Sequence, residues 1–186
     1  MNTQELEETL EGGTETQRIE FKGACDWSVR SLAKDILALS NVRDGGYIIV
    51  GIEDENFNRQ GITVEQKQTY NIDTMRDQMA SYADPHVNFV VSFPNDRFGK
   101  KYAAIRVLEF EEIPVICRRD SQDTKAGIVY YRNRNRRPES APVSNSYDMR
   151  DIIELATVKR MRKTRELGLT VSPSVKEILD EELQGL

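Results

Sequence analysis

Residues 47–52 read YIIVGI, an unbroken apolar run between Gly45-Gly46 and the acidic cluster Glu53, Asp54, Glu55. Such a run between turn signals is a buried strand. It follows the clearest helix in the chain. Over residues 28–40, Val29, Leu32, Ala33, Ile36 and Leu37 fall at i, i+3, i+4, i+7 and i+8. Ser28 or Asp26 can cap its start, and Asn41 to Gly46 makes the turn into the strand. Any fold for this chain must bury that helix and that strand together. With 186 residues, 38% of them apolar, one core of ordinary size is available.

The remaining elements follow from periodicity. Leu6 and Leu10 lie four apart in a short helix over 3–11, which Gly12-Gly13 ends. In ETQRIEFKG, Ile19 and Phe21 alternate with Glu20 and Lys22. A strand here turns Ile19 and Phe21 to the core and sets Glu20 and Lys22 together on the opposite face. Asp73 to Asp84 reads as a helix with Met75, Met79 and Tyr82 on one side, stopped by Pro85. Val87–Phe93 and Tyr102–Leu108 make a hairpin around NDRFGK. Val115–Cys117 and Ile128–Tyr131 are short strands flanking a polar loop. Residues 147–167 form a long helix with Met149, Ile152, Ile153 and Ala156 on its apolar side, and Ser172-Pro173 opens a last short helix. The order predicts an α+β fold, a mixed β-sheet flanked by helices. One domain spans 1–168. The tail, 169–186, packs back on that domain or docks a partner protein.

Several function classes drop out. No run approaches the ~18 apolar residues of a transmembrane helix, and the acidic N-terminus lacks the apolar stretch of a signal peptide. Cys25 and Cys117 make no secreted disulfide framework, so a cytoplasmic chain with reduced thiols is expected. His86 is the only histidine and there is no C-x-x-C, which argues against zinc and two-histidine schemes. No P-loop supports ATP hydrolysis. Carboxylates, lysine, arginine, hydroxyls and backbone remain to carry chemistry.

Charge is unevenly spread. The formal net charge is −5, yet residues 117–137 carry Arg118, Arg119, Lys125, Arg132, Arg134, Arg136 and Arg137 against Asp120 and Asp123. Within it, YYRNRNRRPES mixes arginines with tyrosines, the pairing that contacts phosphates and stacks on bases. Upstream, Glu15 precedes Glu20 by five residues, and Asp54 closes the buried strand. If the two strands are neighbours, the three acids converge at one sheet edge. Clustered carboxylates repel unless a cation or proton relieves them, and Mg²⁺ or Mn²⁺ prefers such hard oxygens. Lys22 points to the same side and can steady a phosphate. The same spacing also suits a plain solvent-facing strand edge. Asn41 and Gly45-Gly46 fit a phosphate loop or, more simply, a sharp helix-to-strand turn.

The runs ETQRIEFKG, LALSNVRDGGYIIVGIEDE with Gly61 beyond, DPHVNFVV, GKKYAAIRVLE, IPV, and GIVYYRNR with its Ala-Pro-containing tail together resemble the Schlafen-type AlbA-like domain, from about Leu6 to Ala156. The resemblance implies a single lobe of that fold, with a three-carboxylate site at Glu15, Glu20 and Asp54. In the nuclease branch that site binds Mg²⁺ or Mn²⁺ and cleaves RNA, notably transfer RNA, in settings such as phage defence or translation shut-off. Lys22 would then support the phosphate, and Arg118, Arg119, Arg132, Arg134, Arg136 and Arg137 would hold the strand, RNA being favoured over DNA. The alternative is a non-catalytic DNA- or RNA-binding module, a regulator or subunit of a larger complex. Two lobes form a basic cleft in larger relatives, so homodimerisation is expected of a single lobe. Two departures stand out: NVRDGG carries one residue more before its glycines than the usual pattern, and Glu53 and Glu55 flank Asp54.

Overall fold

The computed structural model describes residues 1–12, 14–53, 56–134 and 138–169. Its elements are α1 (Thr3–Glu11), β1 (Ile19–Lys22), α2 (Val29–Ser40), β2 (Gly46–Val50), α3 (Val64–Thr69), α4 (Ile72–Ala80), β3 (Ala83–Asp84), β4 (Phe89–Ser92), β5 (Ala103–Val107), β6 (Ile116–Cys117), β7 (Tyr130–Arg132), β8 (Ser140–Pro142) and α5 (Ser146–Glu166). The central sheet runs β1-β2-β5-β4. β1 and β2 are parallel, and the other pairs are antiparallel. This is the expected α+β class with a mixed sheet and flanking helices.

The two faces of the sheet have different lids. Ile48, Val50, Ile105 and Val107 join Phe89 in a large core with Leu32, Ala33, Ile36 and Leu37 of α2. The other face carries Phe21, Ile49 and Tyr102, closed by Leu6 of α1. β2 is thus covered on both sides, which is why its sequence runs apolar without alternation. α2 also packs against β7 and β8, so it lies buried along most of its length.

The parallel register sets Glu20 beside Ile48 and Lys22 beside Val50, and these share one face. Glu20 and Lys22 therefore stand on the side covered by α2, at the edge strand. Phe21 turns to the smaller core, as alternation demands, and Ile19 packs partly against it.

Four local readings need correction. The helix expected over 73–84 stops at Ala80, and Ala83–Asp84 becomes a strand paired with β6. α3 was not foreseen, although Thr63 and Gln66 form a reciprocal capping box, a legible start signal. β8 pairs with β7 and was also unforeseen. α5 buries Ile152 and Leu155, while Met149 and Ile153, expected on its apolar side, face solvent at 41% and 55% exposure. The hairpin of β4 and β5 forms as expected, with Phe89 opposite Val107. The proposed last helix lies outside the described residues.

Candidate functional site

β1 ends the sheet, so alternate backbone groups on its outer side find no strand. Glu15 meets one of them: its Oε1 accepts the Phe21 N–H at 2.9 Å. Arg132 meets another, donating from Nη2 to the Ile19 carbonyl at 3.1 Å and from Nε to the Thr16 carbonyl at 2.9 Å. The same guanidinium reaches both acids. Nη2 lies 3.1 Å from Glu15 Oε2, and Nη1 pairs with Glu20 Oε2. Glu15 and Glu20 are thus brought together, by a guanidinium set between them.

Lys22 extends the cluster. Its Nζ binds Glu20 Oε1 and lies 3.2 Å from Oδ2 of Asp35, near the middle of α2. Asp35 is only 2% exposed, and Glu20 only 6%. Burial, then the charge of Asp35, pushes the Glu20 carboxyl up to about 7, against the pull of Arg132 and Lys22. Lys22 is held above its ordinary range: burial acts to lower it, and the charges of Asp35 and Glu20 outweigh that. A carboxyl poised near neutrality beside a fixed ammonium can take or give a proton at physiological pH.

These groups line an open polar cavity of about 190 Å³, with Lys34, Pro138, Glu139 and Ser140 completing its wall. Among the described residues, two buried side-chain oxygens lack a hydrogen-bond partner, Asp35 Oδ2 and Ser140 Oγ. Asp35 Oδ2 touches Lys22 as an ion pair, off the alignment of a hydrogen bond. Both oxygens belong to this cavity. Buried polar atoms are normally satisfied; Asp35 Oδ2 has the Lys22 ammonium at 3.2 Å, which leaves Ser140 Oγ as the buried oxygen of this cavity without a polar partner among the described residues.

The expected site residues divide as follows. Glu15, Glu20 and Lys22 meet in the cavity. Asp54, Arg136 and Arg137 lie outside the described residues. Arg118, Arg119 and Arg134 are exposed; Arg119 stacks over the Tyr82 ring at 5.5 Å, and Arg134 pairs with Asp151 at 3.0 Å. Arg132 is a correction. It was expected on the strand-holding surface, yet it is 1% exposed and committed to two acids and two carbonyls. Glu20 likewise does not face solvent, because α2 and β7 cover its side of the sheet.

Asp35 and Ser140 were missed. Asp35 had a signal: it sits three residues after Leu32 and four before Leu39, an acid inside the buried stripe of α2. Asn41 resolves as structural. Its side chain accepts from Val115 N at 2.8 Å and donates to the Val115 and Tyr130 carbonyls, each at 2.9 Å. His86 is exposed and away from the cavity.

Among the described residues no three metal-ligating side chains gather around one point. The space between Glu15 and Glu20 is taken by Arg132. As they stand, the described residues do not fit Mg²⁺ or Mn²⁺.

A mixed sheet with an edge strand carrying paired acids, helices over both faces and a buried arginine reaching back from β7 defines a domain class before it defines an activity. The Schlafen, AlbA_2 family matches residues 15–139, and the chain belongs to it. Membership points to a nucleic-acid-related function. Two solved structures are similar to this chain, and the first of them supports the fold. One is the N-terminal domain of an ATP-dependent DNA helicase RecG-related protein from Nitrosomonas europaea, with TM-score 0.50, 19% identity, and coverage of 78% of this chain and 97% of that one. The other is the DIP2311 protein from Corynebacterium diphtheriae, with TM-score 0.48, 19% identity and 73% of this chain covered. This chain spans only 23% of the length of the latter. No curated protein matches. Among the described residues no helix is long and apolar enough to cross a membrane.

Proposed function

We propose that the chain is a nucleic-acid-binding protein whose working site is the cavity beside β1, and that its chemistry there is cleavage of RNA phosphodiesters. One observation carries this reading. Glu20 is buried, with its carboxyl pushed up to about 7, beside Lys22 in an open polar cavity whose wall also holds Asp35 and the unpartnered Ser140 Oγ. Glu20 supplies a proton acceptor and Lys22 a charge for the phosphate. Exposed Arg118, Arg119 and Arg134 supply sequence-independent backbone contacts. Mg²⁺ or Mn²⁺ is what the family resemblance implies; no step is assigned to it while Arg132 keeps its place.

The test is a cleavage assay with labelled transfer RNA, single-stranded RNA and single-stranded DNA, run with Mn²⁺, with Mg²⁺ and with chelator. Glu20→Gln and a Glu15→Ala/Glu20→Ala/Asp54→Ala variant run in parallel. Products from RNA that fall at least 100-fold in both variants support the reading. Products that persist in both place the activity elsewhere. A second reading, a binding module without cleavage, is favoured by the way Arg132 ion-pairs with both Glu15 and Glu20 and fills the space between them. It expects a salt-sensitive gel shift and intact RNA. A homodimer would set two such cavities in one particle, and light scattering with and without RNA tests it as a mass of two chains.

A further inference from the structure

The polar groups that line the cavity beside β1 divide into those with partners and those without. Every carboxylate oxygen of Glu15 and Glu20 is already met. Glu15 accepts from the Phe21 N–H and Arg132 Nη2, and Glu20 from Lys22 Nζ and Arg132 Nη1. Asp35 Oδ2 faces the Lys22 ammonium. Lys22 and Arg132 are committed in those same contacts. The donors left over in the wall are Lys34 and Ser140. Among the described residues the half-buried Lys34 side chain has no ion pair or hydrogen bond. Ser140 Oγ has none either, although the residue is only 9% exposed.

The fold brings these two donors in from different elements. Ser140 opens β8 and stands opposite Arg132 in the β7–β8 pair, so both side chains share one face of that pair. Lys34 immediately precedes Asp35 on α2, and β8 packs against α2. The cavity thus offers an ammonium and a hydroxyl, while Glu15, Glu20 and Asp35 are already matched. A buried hydroxyl without a partner costs free energy until something accepts from it. Two such donors fit an acceptor, and the ammonium makes that acceptor an anion. The non-bridging oxygens of a phosphodiester accept only and come as a charged pair. Glu139, the remaining acid of the wall, is exposed and screened by solvent.

We propose that Lys34 and Ser140 form a phosphate subsite, in which the ammonium and the hydroxyl take the two non-bridging oxygens of one phosphodiester in a single-stranded RNA. The proposal rests on the reading of this cavity as the working site for nucleic acid, but needs no cleavage. Lys22 adds its charge from beside the phosphate without leaving its two acids. Because Ser140 Oγ bonds no described residue, Ser140→Ala takes no hydrogen bond from the fold.

Fluorescence anisotropy of a labelled single-stranded RNA over a range of salt tests this on the full chain, as wild type, Lys34→Gln and Ser140→Ala. Ser140→Ala should bind about ten-fold more weakly with its salt slope and urea midpoint unchanged, because the donor lost is neutral and unused in the fold. Lys34→Gln should bind about ten-fold more weakly at low salt and lower the slope of log affinity against log salt by about 0.7. Wild-type affinity in Ser140→Ala overturns the proposal, and so does an unchanged slope in Lys34→Gln. A loss of affinity in Ser140→Ala that comes with a lowered urea midpoint makes Ser140 structural and overturns it as well. Inorganic phosphate that displaces the RNA at equal phosphate concentration makes free phosphate the ligand, with the same result. RNA cleavage on the same samples separates the two readings. Weakened binding in both variants with no cleavage in any sample keeps the subsite and removes the nuclease. Cleavage that depends on Glu20 but keeps its KM in both variants keeps the nuclease and removes the subsite. A wild type that binds no RNA removes both.

Discussion

Glu20 shows how much one residue's surroundings decide. Its place beside Lys22 was legible from the spacing of Glu20-Phe21-Lys22, because alternation on a strand is a local rule. Its burial was not, because the elements that cover it arrive from α2 and from β7. Nor could composition tell which of seven clustered basic residues turns inward. The carboxyl is raised from an ordinary 4.5 to about 7, so the folded chain binds more protons than the unfolded chain between those values. Its contribution to stability is then complete below about pH 4.5 and is lost as pH rises through about 7. Urea unfolding of wild type and Glu20→Gln, each from pH 5 to pH 8, checks this. The wild type should lose on the order of 1–3 kcal/mol more than the variant across that range. Parallel pH dependence would refute the assignment, whatever the absolute cost of unpairing Arg132.

Among elements, α2 carries the most information. Its apolar spacing fixed its length and its burial from sequence, and Asp35 inside that stripe was readable as an anomaly. The turn that follows is held by Asn41, whose amide ties the helix end to the chain before β6 and to β7. The next residues are then forced. Gly45 has φ +63°, and a Cβ there would lie 2.1 Å from the Val107 carbonyl oxygen, so the backbone itself packs against β5. Asn41→Ala removes a buried donor–acceptor pair and leaves three backbone groups unmatched. It should cost about 2–4 kcal/mol in denaturant unfolding and leave nucleic-acid affinity of the folded protein unchanged. A loss of affinity without a loss of stability would return Asn41 to the phosphate-loop role. The strands β3, β6, β7 and β8 were least legible, because two- and three-residue pairings depend on distant partners and leave almost no periodic signal.

For the whole molecule, net charge and charge placement give different answers. An overall −5 opposes association with a polyanion, whereas the exposed arginines supply local contacts. Binding of single-stranded RNA should weaken steeply with salt. Arg118→Gln and Arg119→Gln should each lower the slope of log affinity against log salt by about 0.7. Fluorescence anisotropy from 50 to 300 mM salt measures it, and an unchanged slope in the double variant would move the contact surface elsewhere. The chain order of helices and strands was enough to give the α+β class. The meeting of residues 15–22 with residue 132 was not available to any local rule.

The edge of β1 carries a consequence of its own. A terminal strand with free amides and carbonyls is a template for another extended chain, whether a partner's or a second copy's. Here Glu15 takes the Phe21 N–H and Arg132 takes the Ile19 carbonyl, so two side chains imitate the fifth strand that the sheet lacks. The residues that look most like chemistry also keep the sheet from growing. Removing them does more than silence a site: it uncaps an adhesive border, and a protein altered there becomes a candidate for strand addition and self-association.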